Sequence, residues 1–250
     1  MTSTSDPELP RQRSARMRLV DLAMTRLLGL PPGAVEYSLS RDIAIPMRDG
    51  VMLRADHYVP HTSAPAGTLL LRCPYGRGAP LSWLHARTYA QRGYHVVFQS
   101  VRGTFGSGGE FEPAEHEVDD GADTVAWLRR QPWFTGTFAT IGQSYLGFTQ
   151  WALLVDPPPE LATAIITVGP HDLGATLRDS AGLSIGNALW WCDQVAHQEE
   201  GAVRRLLRQF NLGTRGTGRC RSAASGPCWP RAARGRGTVL RDLAAKSRHR

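Results

Sequence analysis

The sequence predicts an α/β fold built on a sheet that begins with antiparallel strands and continues with parallel ones. Between residues 68 and 168, four short apolar segments alternate with stretches of helical periodicity. Continuous apolar strands of this kind are buried on both faces, as in parallel sheets covered by helices. Ahead of them, Asp49-Gly50 joins two extended segments, and this turn indicates an antiparallel hairpin.

The elements can be placed in order along the chain. Residues 14–28 have apolar side chains at helical spacing and predict a short amphipathic helix that ends at Pro31-Pro32-Gly33. The hairpin strands are predicted at 35–46 and 51–59. The later strands are predicted at 68–71, 94–98, 137–141 and 163–168, and the helices at 83–92, 119–130, 145–154, 183–195 and 200–210.

Composition divides the chain into four segments. Residues 1–34 are predicted to be a disordered start followed by the short helix, and residues 35–170 to be the N-terminal part of the α/β domain. Residues 171–212 change to helix and loop. Residues 213–250 are rich in Gly, Arg, Ala and Pro without hydrophobic periodicity, which is typical of disordered segments. Because these amino acids have GC-rich codons, a shift of reading frame is one hypothesis for this last segment.

The net charge of +7 is confined to that last segment. Residues 213–250 hold ten basic side chains and one acidic side chain, a charge of +9, whereas the other 212 residues sum to −2. A basic excess outside the folded body gives that body no electrostatic attraction for nucleic acid. We therefore expect no nucleic-acid partner.

Compartment and cofactor content follow from what the sequence lacks. No apolar run reaches the roughly 18 residues that cross a bilayer, and the N-terminus has no basic start followed by an apolar stretch, as secretory signals have. We expect a cytoplasmic protein without a membrane partner.

The four cysteines form no zinc-binding motif and are interpreted as free thiols, so we expect neither a metal nor an organic cofactor. They are Cys73, Cys192, Cys220 and Cys228.

Ser144 is the candidate nucleophile. It lies in Ile141-Gly142-Gln143-Ser144-Tyr145-Leu146-Gly147, directly after a predicted strand and directly before a predicted helix. A nucleophile elbow needs such a tight strand-to-helix turn with small flanking residues, and the helix that follows directs free N–H groups at a developing oxyanion. The second glycine comes one residue later than in G-x-S-x-G, and the alternative interpretation is a serine that caps the helix.

Further motifs accompany this segment in a fixed order. They are Ile45-Pro46-Met47-Arg48-Asp49-Gly50, Arg72-Cys73-Pro74-Tyr75, Arg92-Gly93-Tyr94-His95-Val96-Val97, Val101-Arg102-Gly103-Thr104-Phe105-Gly106-Ser107-Gly108-Gly109, Trp127-Leu128-Arg129-Arg130-Gln131-Pro132-Trp133, and Phe148-Thr149-Gln150 after the elbow. With them, residues 35–210 resemble the cocaine-esterase and X-Pro dipeptidyl-peptidase family of serine hydrolases, whose elbow is similar to G-x-S-Y-x-G.

The resemblance implies an α/β-hydrolase fold that is incomplete in this chain, with residues 171–212 as the beginning of a helical cap. It implies that Ser144 forms an acyl-enzyme, and that the Tyr75 hydroxyl and the Tyr145 backbone N–H form the oxyanion hole. The alternative for Tyr75 is a surface tyrosine in a loop. The implied substrate is a small-molecule ester or a short X-Pro peptide, and we favour the ester.

The resemblance also implies a triad acid and base that follow later strands in the order Ser, Asp, His. We identify neither. Asp242 and His249 have that order, but no strand pattern surrounds them. His171-Asp172 follows the fourth apolar strand, yet two adjacent side chains cannot easily both address one serine. The remaining candidates are interpreted as ordinary surface or core histidines, namely His85, His95, His116 and His197.

Two functions therefore remain open from the sequence. The chain is either a serine esterase or X-Pro peptidase, or a catalytically inactive fragment truncated after the start of the cap. The sequence leaves the substrate and the oligomeric state open as well.

Overall fold

The computed structural model describes residues 11–176, 178–179, 182–183 and 185–199. These divide into two compact units, residues 11–172 and residues 173–199. Residues 1–10 of the predicted disordered start, the predicted helix at 200–210 and the basic segment with Asp242 and His249 lie outside the described residues. Residues 11–13 were predicted to be disordered and are ordered instead, because Arg11 and Gln12 pair with Leu39 and Ser38 in a strand and Arg13 forms an ion pair with Asp21 at 3.0 Å.

Seven strands of the first unit form a single sheet in the order β1-β2-β3-β5-β4-β6-β7. The pairs β2–β3 and β3–β5 are antiparallel, and the pairs β4–β5, β4–β6 and β6–β7 are parallel. This confirms the predicted hairpin followed by a parallel sheet. The strands are β1 Arg11–Gln12, β2 Tyr37–Pro46, β3 Met52–Pro60, β4 Gly67–Cys73, β5 Tyr94–Ser100, β6 Phe138–Gln143 and β7 Leu161–Thr167.

The helices of the first unit agree with the predicted ones except in one segment. The predicted helix at 83–92 begins as a π-helix, Ser82–Arg87, before it continues as α2, and hydrophobic spacing does not distinguish these two windings. Ser14 caps the first helix by accepting a hydrogen bond from the Met17 N–H at 3.2 Å. The helices are α1 Ala15–Leu27, α2 Thr88–Ala90, α3 Glu117–Leu128 and α4 Tyr145–Leu153.

The second unit has short elements. Backbone pairing joins β8 Arg178–Asp179 to β9 Gly182–Leu183, so the predicted helix at 183–195 begins two residues late, as α6 Ile185–Ala196. The helix α5 Leu173–Thr176 precedes them. No helix among the described residues of either unit has the length and apolarity to cross a membrane.

Successive residues of the central strands pack on opposite faces of the sheet. Leu69 and Leu71 belong to a buried cluster with Ala90 of α2, whereas Leu70 belongs to a second cluster with Leu128 of α3. Because side chains alternate along a strand and both faces are covered, apolar residues are favoured at successive positions in the middle of such a strand. This explains the continuous apolar segments of the sequence.

Two histidines are buried next to Trp133. The His57 ring stacks on the Trp133 ring with centroids 3.9 Å apart, and His57 Nε2 lies 3.1 Å from His95 Nδ1. Burial, and then the nearby His95, lowers the pKa of His57 to about 3. Burial lowers the pKa of His95 as well. Both rings are therefore neutral at pH 7.

We predict that the free energy of unfolding falls as the pH drops below about 6.5. An unfolded histidine titrates near 6.5 and folded His57 near 3, so between these values the unfolded state binds the extra proton. His57 alone then costs about 2 kcal/mol by pH 5. Urea unfolding at pH 7.5 and 5.0 measures this loss, which His57→Gln should reduce by that amount. An equal pH dependence in both proteins contradicts the prediction.

Candidate active site

Tyr75 and Ser144 are the predicted site residues that act through their side chains. They follow two neighbouring parallel strands. Leu70 of β4 pairs with Thr140 of β6, and Tyr75 lies five residues beyond Leu70 while Ser144 lies four residues beyond Thr140. Both residues therefore emerge at the carboxyl edge of the sheet, where open α/β sheets bind their ligands. Tyr75 is half-buried and packs against the apolar cluster of β4 and β5.

Ser144 has a backbone conformation that side chains rarely adopt. Its φ is 55° and its ψ is −124°. Its N–H donates to the Thr167 carbonyl of β7 at 3.2 Å, and its carbonyl accepts from the N–H groups of Gly147 and Phe148 at 2.9 and 3.1 Å. The residue is exposed, between half-buried Gln143 and buried Tyr145. Its side chain does not cap α4, and a capping serine has extended backbone, so the geometry favours the elbow interpretation.

Close packing explains the glycines on either side of Ser144. A Cβ at Gly142 would lie 2.3 Å from the Leu146 Cβ. A Cβ at Gly147 would lie 2.6 Å from the Gly169 Cα and 3.0 Å from the Ile166 Cγ2. The late glycine of the motif is therefore required where α4 crosses the end of β7.

The side chain of Tyr145 is anchored inside the protein. Its hydroxyl donates to Glu117 Oε1 at 2.9 Å and accepts from the Ala114 N–H at 3.0 Å. Burial, and then the Glu117 charge, raises the pKa of Tyr145 well above its usual value. Burial also raises the pKa of Glu117, against the opposing effect of Arg72. The phenol therefore stays protonated and is a permanent donor to Glu117.

Arg72 completes this buried network. Its Nη2 lies 2.9 Å from Glu117 Oε2, a direct ion-pair contact whose angle is poor for a hydrogen bond. Better-aligned bonds run from Nη1 to the Glu117 carbonyl at 2.9 Å and from Nε to Gln99 Oε1 at 2.8 Å. Arg72 belongs to one of the sequence motifs. Glu117, the first residue of α3, belongs to none of them and was not predicted.

The loop that carries Tyr75 is held by Arg77. The Tyr75 N–H donates to Cys73 Sγ at 3.2 Å. Two residues later, Arg77 donates through Nε to Asp56 at 3.1 Å and through Nη1 to the Ser100 hydroxyl. Burial raises the pKa of the Cys73 thiol to about 12, so this thiol stays neutral and is no competing nucleophile.

The candidate histidines lie in different places. In the first unit, His95 is buried against His57, His85 is buried in the π-helix, and His116 Nε2 lies 3.4 Å from Glu112. His171 is exposed after β7, with its ring centroid 6.4 Å from that of Trp151.

In the second unit, His197 Nε2 lies 3.6 Å from Asp193. Within the described part of the first unit, no hydrogen bond joins Ser144 Oγ to a histidine. The described residues also contain no group of three or more His, Cys, Asp or Glu side chains that could hold a metal ion.

Comparison with known proteins identifies the family. Residues 49–233 match the model of the X-Pro dipeptidyl-peptidase (S15) family, and the chain belongs to this family. It is 40% identical over 123 residues to the cocaine esterase of Rhodococcus sp. (strain MB1 Bresler), covering 48% of this chain and 21% of that protein. It is 33% identical over 131 residues to dipeptidyl aminopeptidase BIII of Pseudoxanthomonas mexicana, covering 50% of this chain and 18% of that protein.

The chain is also similar to part of a solved structure. A CocE/NonD family hydrolase from Staphylococcus aureus is 25% identical and covers 52% of this chain and 27% of its own, with a TM-score of 0.46. The chain spans about a fifth of the length of the two curated relatives above. The mixed sheet with its helices has the α/β-hydrolase fold.

We predict that Gly147→Ala destabilises the protein. Alanine inside a helix normally stabilises it by up to about 1 kcal/mol relative to glycine. Here the added methyl group overlaps the Gly169 backbone, and such overpacking costs roughly 1–3 kcal/mol. Urea unfolding measures the difference. Gly78→Ala is the matched control, because nothing lies within 4 Å of its added Cβ. A Gly147→Ala protein more stable than the parent contradicts the prediction.

Proposed function

We propose that this member of the X-Pro dipeptidyl-peptidase family is a serine hydrolase that cleaves a small-molecule ester through an acyl-enzyme on Ser144. The observation that carries the proposal is the backbone of Ser144, an exposed non-glycine residue at φ 55°. Such conformations cost about 1–3 kcal/mol and persist where the surroundings impose them, most often at active sites. The glycine contacts on both sides impose this one.

In the proposed reaction, Ser144 Oγ attacks the carbonyl carbon of the ester while its proton passes to a general base. The carbonyl oxygen becomes an oxyanion, which the Tyr75 hydroxyl and the Tyr145 N–H stabilise by hydrogen bonds. Collapse of the tetrahedral intermediate breaks the bond to the alcohol, which leaves with the proton from the base. Water then attacks the acyl group on Ser144 by the same steps and releases the acid.

Two observations support the oxyanion roles. Tyr75 and Ser144 follow strands that pair directly, so their side chains start from the same edge. Tyr145 is the first residue of α4, and the first N–H groups of a helix have no partner inside that helix. The Tyr145 amide therefore lies at the end of α4 that follows Ser144.

An ester is preferred to an X-Pro peptide. The esterase relative is 40% identical, against 33% for the aminopeptidase. A peptide substrate would additionally need carboxylates to bind its free amine. Two carboxylates at this edge of the sheet are already paired, Glu117 with Arg72 and Asp56 with Arg77. A short X-Pro peptide is the second substrate class within the same mechanism.

The second candidate function is that of a catalytically inactive chain. The observation that favours it is the lack of a hydrogen bond from Ser144 to any histidine within the described first unit. In a serine protease, loss of the histidine costs about 10⁶ in kcat. A chain with the nucleophile and the oxyanion donors but no base would show at most slow background hydrolysis.

Hydrolysis of p-nitrophenyl acetate and labelling by a fluorophosphonate test this choice. We expect both in the parent and neither in Ser144→Ala.

We expect Tyr75→Phe to lower kcat by about 10²–10³ with little change in KM, because one oxyanion donor is lost. Tyr94→Phe is the control, since Tyr94 begins β5 at the opposite end of the parallel strands.

The outcomes separate the candidates. A folded parent that neither hydrolyses the ester nor reacts at Ser144 supports the inactive chain. Labelling at another residue, or hydrolysis that persists in Ser144→Ala, contradicts the role of Ser144. Unchanged kcat in Tyr75→Phe removes Tyr75 from the oxyanion hole and leaves the nucleophile unaffected.

A further inference from the structure

Tyr145 combines a backbone next to Ser144 with a side chain held in the protein interior. Its backbone N–H directly follows Ser144, which is exposed. The whole residue is 1% exposed, and its ring packs between Phe111 and Phe148. The amide and the phenol belong to one residue, so contacts that hold the phenol restrict the backbone that carries the amide.

Glu117 is the acceptor that fixes the phenol. It is 4% exposed, and Oε1 receives the Tyr145 hydroxyl at 2.9 Å while Oε2 faces Arg72 at 2.9 Å. As the first residue of the twelve-residue α3, its carboxylate also lies at the positive end of that helix. Both oxygens therefore have defined partners, and the carboxylate cannot rotate away from Tyr145 without breaking the ion pair.

Arg72 extends the network to the other proposed donor. It lies three residues before Tyr75, and its carbonyl accepts from the Thr149 hydroxyl of α4 at 3.2 Å. The strand that leads to Tyr75 and the helix that begins at Tyr145 are thus joined through Glu117 and through Thr149.

We propose that Glu117 is a positioning residue of the oxyanion hole, which holds the Tyr145 N–H through the Tyr145 hydroxyl and ties it through Arg72 to the strand preceding Tyr75. The inference rests on the proposed function. Oxyanion donors are effective when their direction is set before the charge develops. The glycine contacts fix where α4 begins, and a buried charged acceptor for the Tyr145 hydroxyl adds a stronger anchor than a neutral one would.

The decisive variant is Tyr145→Phe. It removes the hydroxyl but keeps the ring, the backbone N–H and the Glu117–Arg72 ion pair. We expect kcat for p-nitrophenyl acetate to fall about 10-fold or more with little change in KM. Glu117→Gln should give a similar fall, and the double variant should lose no more than Glu117→Gln alone, because both changes remove the same link.

The amide itself gives a readout that does not depend on turnover. In protein labelled with ¹⁵N-tyrosine, six tyrosines contribute backbone cross-peaks, and Tyr145→Phe identifies its own by deleting it. We expect Glu117→Gln to shift the Tyr145 cross-peak and speed its hydrogen exchange. Glu160→Gln is the matched control, because Glu160 also pairs with an arginine, Arg129, at a distance from the elbow.

The outcomes are distinct. If the parent does not hydrolyse the ester, the proposed function fails, and the Tyr145 cross-peak alone decides the positioning role. If Glu117→Gln does not fold, Tyr145→Phe decides it through kcat and through the rate at which fluorophosphonate labels Ser144. A folded Tyr145→Phe with parental kcat and labelling rate, or a folded Glu117→Gln whose Tyr145 cross-peak does not move, overturns the proposal.

Discussion

The constraint on which this site depends is the close approach of α4 to the ends of β6 and β7. Gly147 meets Gly169 with no room for a methyl group, and Gly142 meets Leu146 in the same way. This contact starts the helix immediately after the strand, so Ser144 must take the positive φ that joins them. The strain of about 1–3 kcal/mol is offset by the packing and by the hydrogen bond from the Ser144 N–H to Thr167. The direction of the first amides of α4, and therefore the position of any oxyanion, follows from this junction.

Buried arginines organise the loops at the same edge of the sheet. Arg72 pairs with Glu117, Arg77 with Asp56, and Arg102 with Asp120, whose Oδ1 lies 2.6 Å from the arginine Nη2. Burying such charges costs several kcal/mol per ion, and the ion pair returns this only when the geometry is good. An apolar contact could stabilise these loops equally well, but it is not directional and would not fix their relative position. Paired charges with further hydrogen bonds instead specify one arrangement, which is what preorganised donors near Tyr75 and Tyr145 require.

How far the sequence predicts this protein depends on how local each signal is. The turn at Asp49-Gly50, the apolar parallel strands and the strand-to-helix turn at Ser144 each have a local sequence signal, and the structure has these elements. The Arg72–Glu117–Tyr145 network joins positions 28 and 45 residues apart, so no window of sequence contains it. The stacking of His57 and His95 on Trp133 was missed for the same reason. The π-helical turn at Ser82–Arg87 was missed because apolar spacing does not distinguish it from an α-helix.

In the proposed mechanism the base and the oxyanion hole contribute separately to kcat, so the effect of the positioning contacts can be measured apart from that of the base. In serine hydrolases the triad base accounts for about 10⁶ in kcat, while the oxyanion hole and substrate binding still give about 10³ over water without it. Here the proposed nucleophile and both proposed donors follow β4 and β6 or begin α4, and Glu117 and Arg72 connect these elements within one compact unit. Their geometry therefore does not depend on which residue supplies the base. Even a chain whose base is displaced should retain an ordered Tyr145 amide, since the forces that orient it are packing and buried charge rather than catalysis.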